Sequence, residues 1–287
     1  MQKTLLKPAQ LSGFGFWRCE DAAVTLEPAA EDTGIVFIRD DLPETPVIPA
    51  ELNFRVNTPH RTSLGISLEG NKNVQVDMVE HVMAALFAME ITNCRVHVTA
   101  QELPALDGSA LPYVEAINEA GVKSQNKPGK KWRVTAPIRV GNDAAYMEVR
   151  PPEPEVLVGT IDYELNYPHN PAIGFQEFTT PLFSETLRED VVPARTFATQ
   201  QEAVTLQAAG LCRRVTPQNC LVFTGEGVLE NSLRFNDECA RHKILDFVGD
   251  MYLGGIEWVG RFHCVGSGHD LNYQMLQELI RQREKQI

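Results

Sequence analysis

The sequence predicts an α+β protein built in two halves, and three observations carry that expectation. Its 287 residues suffice for two domains of ordinary size. Strand-like and helix-like segments come in groups rather than in regular alternation, which is the α+β pattern. A polar stretch at 121–131, GVKSQNKPGKK, carries four lysines together with Gly and Pro and divides the chain into halves 1–124 and 130–287. Hydrophobic residues make up 43% of the chain, enough for a core in each half.

In the first half, 23–26 and 35–38 read as strands, with the acidic EDTG at 31–34 as a hairpin turn between them. Residues 46–49 hold two prolines and read as loop. Residues 61–68 and 74–76 read as strand pieces around a Gly70-Asn71 turn. DMVEHVMAALFAME at 77–90 sets Val79, Val82, Met83, Leu86 and Phe87 on one helical face. Asp77 and Glu80 there loosely fit a capping box, with Asp77 as the cap. Residues 95–99 read as a strand, and LPALDGSA at 103–110 as a turn-rich loop into a helix at 113–120.

The second half opens with strands at 132–135, 145–150, 157–163 and 175–179, interrupted by a loop at 166–171. A helix at 199–209 and strands at 220–223 and 258–265 follow, and a glycine turn leads into an amphipathic final helix. Between these lies NSLRFNDECARHKILDFVGDMYLG, 231–254, which reads as one helix from the spacing of Ile244, Phe247, Val248, Met251 and Tyr252. Asn236 or Asp237 can cap its start and Gly254-Gly255 can end it. Glu238, His242, Asp246 and Asp250 stand four residues apart, along one side of that helix. His242 and Asp246 thereby offer an imidazole and a carboxylate to one point, as helices do for zinc. A charged stripe is equally the ordinary solvated face of a helix.

Net charge is -12, with 38 acidic against 26 basic residues, which argues against a nucleic-acid binder. A small anionic ligand stays open, since one Lys or Arg in a pocket suffices. No apolar run is long enough to cross a bilayer, and MQKTLLKPAQ lacks an apolar signal core. The six cysteines form no Cys-x-x-Cys and read as reduced thiols. A cytoplasmic location is expected.

Four stretches bring chemistry: Val79-Glu80-His81, Ala194-Arg195-Thr196-Phe197, the His242–Asp250 stripe with Lys243, and Gly266-Ser267-Gly268-His269. His81 would complete a three-donor metal site with an open position. Glu80 is then the candidate base for a water activated there. Asp250 could hold His269 as an imidazolium. Each residue alone is as well explained as a surface or hydrogen-bonded group, and spacing does not require the four stretches to meet.

VEHVMAAL, LPALDGSA, ARTF, NSLRFNDECARHKILDFVGD and SGHDLN occur in this order. Together they resemble the UDP-3-O-acyl-N-acetylglucosamine deacetylases, zinc enzymes of lipid A biosynthesis. The likeness spans nearly the whole chain, including VTLEPAAEDTGIVFIRDDLPETPVIPA at 24–50. It implies two similar α+β layers packed face to face with the active site between them. It implies one Zn2+ on His81, His242 and Asp246, a donor set that also accepts Fe2+. Glu80 becomes the base, Thr196 the oxyanion donor, and Lys243 and Phe197 substrate contacts. His269, oriented by Asp250, becomes the positive partner or general acid. The implied partner is a small UDP-linked acylated sugar, with the chain acting as a monomer.

Two departures stand out. The family's early Gly-x-Gly-Leu-His-Ser-Gly is here Gly13-Phe14-Gly15-Phe16-Trp17-Arg18-Cys19, and its later Gly-Gly-Ser falls in Cys212-Arg213-Arg214-Val215-Thr216-Pro217. If Phe16 and Trp17 face the cleft, they narrow it and shift acyl preference; otherwise they fill the first-half core. Rival readings are deacetylation of another N-acetylated sugar nucleotide, or a non-catalytic paralogue that binds one.

Overall fold

Two five-stranded sheets carry the fold of the computed structural model, which describes residues 1–68 and 72–286. The turn expected at Gly70-Asn71 lies outside the described residues. The first sheet runs in spatial order Ala9–Phe14, Asp21–Pro28, Cys94–Val98, Ile35–Arg39, Val47–Pro49. The second runs Ile138–Gly141, Tyr146–Arg150, Arg261–Val265, Thr160–Tyr167, Gly174–Pro181. Both show the same succession of pairings, antiparallel, antiparallel, parallel, antiparallel. The α+β class is therefore as expected, and the repeat is one of topology rather than of residues.

The expected hairpin at 31–34 does not form. Strand Cys94–Val98 inserts between its two arms, with Val98 opposite Val24 on one side and Val96 opposite Phe37 on the other. Cys94, Val96 and Val98 are buried, as are Val24, Leu26 and Phe37 beside them. A central position pairs the backbone of this apolar strand on both edges, which burial demands.

Among the described residues six α-helices complete the fold: α1 (Glu80–Ala88), α2 (Leu111–Ala120), α3 (Ser184–Asp190), α4 (Gln200–Ala208), α5 (Glu238–Met251) and α6 (His269–Glu284). Helices α5 and α6 lie on the second sheet, α2 packs on strand Ala9–Phe14 of the first, and α1 touches both α2 and α5. That sandwiched position explains why α1 is buried on almost every side. Gly249 sets how closely the two central helices approach. A Cβ there would stand 2.0 Å from the Glu80 carbonyl oxygen, so a glycine is required for the crossing.

Several boundaries differ from expectation. Helix α1 begins at Glu80 without a side-chain cap. Asp77 instead accepts from Gln75 and Gln101 and lies 3.5 Å from Arg61 Nε. Helix α5 begins at Glu238, because 231–237 is held in turns by Arg195 on Asn231 and Ser232 and by Arg234 on Pro193 and Asp107. Asp237 makes no cap bond and pairs with Arg241. Helix α5 stops at Met251, and a short 3-10 turn ends at left-handed Gly255. The strand expected at 258–265 is two strands, Glu257–Val259 and Arg261–Val265. The first of these pairs with Lys131–Arg133, while the second enters the sheet.

Beside the second sheet, Phe197–Thr199 and Leu221–Phe223 pair in parallel, joined through α4. Thr199 and Glu202 close a full capping box on that helix, and none of its residues is buried. No helix among the described residues is long and apolar enough to cross a membrane. The cysteines there form no disulfide.

Candidate active site

Three donors converge where the start of α1 meets the middle of α5. His81, His242 and Asp246 are each buried, and their ligand atoms lie within 4.8 Å of one another. Asp246 Oδ1 stands 3.5 Å from His242 Nε2 and 3.9 Å from His81 Nε2. The His242 ring is oriented by its own neighbour: Nδ1–H donates to the Ala194 carbonyl at 3.0 Å, which leaves Nε2 free as a ligand. Burial, reinforced by the other imidazole, pushes His81 down to about 3. Burial also lowers His242. Both rings are thus neutral, the form that binds metals. Burial resists charge on Asp246, yet the Lys243 ammonium holds its carboxyl well below the usual range. The Lys243 ammonium donates to Asp246 Oδ2 at 2.9 Å.

Proton-handling groups surround these donors. Glu80 is 2% exposed, and its carboxylate accepts the Thr62 backbone N–H at 3.1 Å. Burial, with the Asp250 and Asp246 charges adding to it, raises Glu80 to about 8. Glu80 closes no helix cap. His269 opens α6 and meets Asp250, with Nδ1 2.8 Å from Oδ2. Burial alone would lower this imidazole, but the Asp250 carboxylate, by charge and by hydrogen bond, overrides it and carries His269 up to about 9.

ARTF reaches the same place through buried bonds. Arg195 lies against Glu238, one turn before His242, with Nε 2.8 Å from Oε1. The Glu238 carboxylate also takes the backbone N–H of Arg195 and of Arg234. Thr196 is tied to LPALDGSA by its N–H on the Gly108 carbonyl, 2.8 Å away. Gly108 has φ +84, and a Cβ there would meet Asn219 O at 2.2 Å. Phe197 packs edge-on against His242 and beneath the Lys243 ammonium.

Most of the reactive side chains face one cavity of about 970 Å³. Glu80, His81, Thr196, Phe197, His242, Lys243, Asp246 and His269 line it, and Asp250 stands behind His269. Phe16 and Trp17 line it too, so the aromatics of the departing segment face the cleft and not only the core.

The chain matches the model of the UDP-3-O-acyl N-acetylglycosamine deacetylase family over residues 2–281. It is 35% identical to the UDP-3-O-acyl-N-acetylglucosamine deacetylase of Nautilia profundicola, covering 100% of this chain and 94% of that one. It is 36% identical to the protein so named from Chlamydia caviae, covering 97% of this chain and 96% of the other. For that of Histophilus somni the figures are 33% identity, 99% and 91%. This chain belongs to the deacetylase family.

In this member of the deacetylase family the structure adds groups that sequence reasoning missed. Thr62 donates from its hydroxyl to Asp250 Oδ1 at 2.5 Å and from its backbone to Glu80, joining the two acids. Nothing in its surroundings in the sequence marks it. Asn272 donates to Asp250 Oδ2 at 2.8 Å. Its place three residues after His269, on the same helical face, was the available signal. The Arg195–Glu238 pair was half visible, since Glu238 begins the four-residue stripe.

Proposed function

We propose that this chain hydrolyses the acetamide of a UDP-3-O-acyl-N-acetylglucosamine, a step in lipid A biosynthesis, with one divalent metal, zinc or iron(II). The convergence of His81, His242 and Asp246 beside Glu80 and His269 carries this reading. The donor set fits the metal. Ligands at about 2.0–2.2 Å from a tetrahedral ion stand roughly 3.2–3.6 Å apart, and the carboxylate already lies 3.5 Å from His242. Zinc bound there would supply a Lewis acid for the amide carbonyl and for water.

The side chains account for the rest. Glu80, with its affinity for a proton raised by burial, takes the proton from the attacking water. His269, kept protonated by Asp250, supplies positive charge and a proton to the leaving amine. The Thr196 hydroxyl donates to the oxyanion as charge develops. Lys243 supplies the cation that the anionic nucleotide needs in a chain of net charge -12. Phe197 offers a ring face to the sugar. The apolar part of the cavity takes the acyl chain. Another N-acetylated sugar nucleotide is the second reading, favoured by Phe16 and Trp17 in the cleft.

The test joins metal analysis to acetate release. Native protein is expected to hold one metal and release acetate, with occupancy much reduced in His81→Ala and His242→Ala. Full occupancy in both variants would overturn the metal site. No acetate from the metal-loaded native protein would overturn the substrate.

A further inference from the structure

We infer that Thr62 is a positioning residue of the reaction: its hydroxyl aligns the Asp250–His269 pair for the leaving amine, and its backbone holds Glu80. The inference rests on the deacetylase reading above. Thr62 is 2% exposed and precedes the strand Ser63–Leu68. Its polar groups reach three parts of the site. The N–H donates to Glu80 Oε2 at 3.1 Å, and the carbonyl accepts the N–H of Val79, the residue before α1, at 3.3 Å. The hydroxyl stands 2.5 Å from Asp250 Oδ1 and 3.2 Å from His269 Nδ1.

A hydroxyl has one proton to give, and an ionised carboxylate can only accept. The Thr62 proton therefore goes to Asp250 Oδ1. Toward His269 the same oxygen can then only accept, as does Asp250 Oδ2 at 2.8 Å. Nδ1 meets two acceptors and so carries a hydrogen, which leaves Nε2 for the cavity that His269 lines. The two oxygens of Asp250 are held from different halves of the chain. His269 and Asn272, both on α6, bind Oδ2. Among the described residues Oδ1 has the Thr62 hydroxyl as its one side-chain donor. Without that bond the carboxylate is held along one edge only, and its terminal torsion, a soft one, is free to turn.

Helix α6 itself does not depend on this hydroxyl. Arg55, seven residues earlier, pairs with Asp270 at 2.6 Å, and its guanidinium lies 4.4 Å from the centre of the Tyr273 ring. The start of α6 is thus seated by a second contact from the same segment. Thr62 adds the alignment of one ring on a helix already docked. Glu80 takes a proton and His269 gives one, so their separation matters, and a single residue bonds to both sides. A displacement of about 1 Å in such a group can cost on the order of 10²-fold in rate. The loss falls on kcat, because Thr62 does not line the cavity and Lys243 and Phe197 still meet the substrate.

The test compares Thr62→Val, which keeps shape and backbone but lacks the hydroxyl, with Thr62→Ser, which keeps the hydroxyl. Thr62→Ala repeats the loss with less bulk, and metal content is checked in each. Thr62→Val is expected to lower kcat about 10- to 100-fold with KM nearly unchanged, and Thr62→Ser to recover most of the rate. In a His269→Ala background the valine costs little more, because the hydroxyl acts through that ring. In a Glu80→Gln background it costs its full factor, because the backbone bond is kept. Native kcat in both hydroxyl-free variants, a serine variant as slow as they are, or a full loss persisting without His269 overturns the inference. NMR of protein with isotope-labelled histidine reads the same geometry without turnover. The His269 Nδ1–H, identified by its absence in His269→Ala, is expected as a slowly exchanging low-field signal in native protein and Thr62→Ser, and as a faster exchanging one in Thr62→Val. A signal indifferent to Thr62→Val overturns the positioning. No acetate release from native protein, with a Thr62-dependent signal, would overturn the reaction and leave the positioning standing.

Discussion

Glu80 is a buried carboxylate that, among the described residues, takes one hydrogen bond from another segment, the Thr62 N–H. A helix cap contributes about 1 kcal/mol of stability, whereas a positioned base contributes about 10²–10⁴-fold in rate. Because Glu80 makes no cap bond, Glu80→Gln is expected to lower kcat by that range with metal content and melting temperature held. A lowered melting temperature with normal turnover would identify a structural role instead. His269 gives the pH dependence. Its charge is present below about 9 and is lost as pH rises through that value, so the rate falls on the basic side. The acidic side follows Glu80, which must shed its proton, and a bound cation pulls that limb below about 8. Asp250→Asn removes the main influence that raises His269. The basic limb is then expected to move down by about 1–3 pH units, and a pH–rate profile with an unmoved basic limb would count against the pairing.

At the scale of elements, the site depends on how α1 crosses α5 and on how the Ala194–Phe197 segment is tied to α5. Gly249→Ala places a methyl group 2.0 Å from the Glu80 carbonyl. Overpacking of this kind costs about 1–3 kcal/mol, and here the strain also separates His81 on α1 from His242 and Asp246 on α5. Lower stability and weaker metal binding are expected together, read by denaturant melts and metal titration. Native metal affinity in this variant would show that the crossing does not set the donor spacing. Glu238→Ala leaves Arg195 buried and unpaired. Breaking such a pair costs about 3–5 kcal/mol, and the loosened Ala194 carbonyl no longer holds His242 Nδ1. Glu238→Gln, which keeps an acceptor, is expected to recover part of both losses in the same two assays.

For the whole molecule, the site lies between two layers of like topology, with His81 from the first half and His242 and Asp246 from the second. A metal held this way binds the folded chain and not the unfolded one. At a free concentration 100 times its Kd it contributes about 2.7 kcal/mol. Treatment with a chelator is therefore expected to lower the melting temperature measurably, and readdition of zinc to restore it. A melting temperature indifferent to chelator would argue against a site shared by both halves.

The helical spacing of α5 and the short blocks around Glu80, Thr196, His242 and His269 were legible in the residues, because local periodicity and side-chain chemistry are written in neighbouring positions. The α+β class was legible for the same reason. Tertiary structure alone decided that Cys94–Val98 separates the two strands flanking EDTG, since strand order depends on non-local pairing. It alone turned Asp77 away from the start of α1, where Gln101 and Arg61 from other segments compete for its carboxylate. It alone brought Thr62 to Asp250 across 188 residues, and set Trp17 against His60 at the cavity wall. Resemblance named the donors, but the spacing that lets them share one ion comes from Gly249, where two helices from different halves touch backbone to backbone.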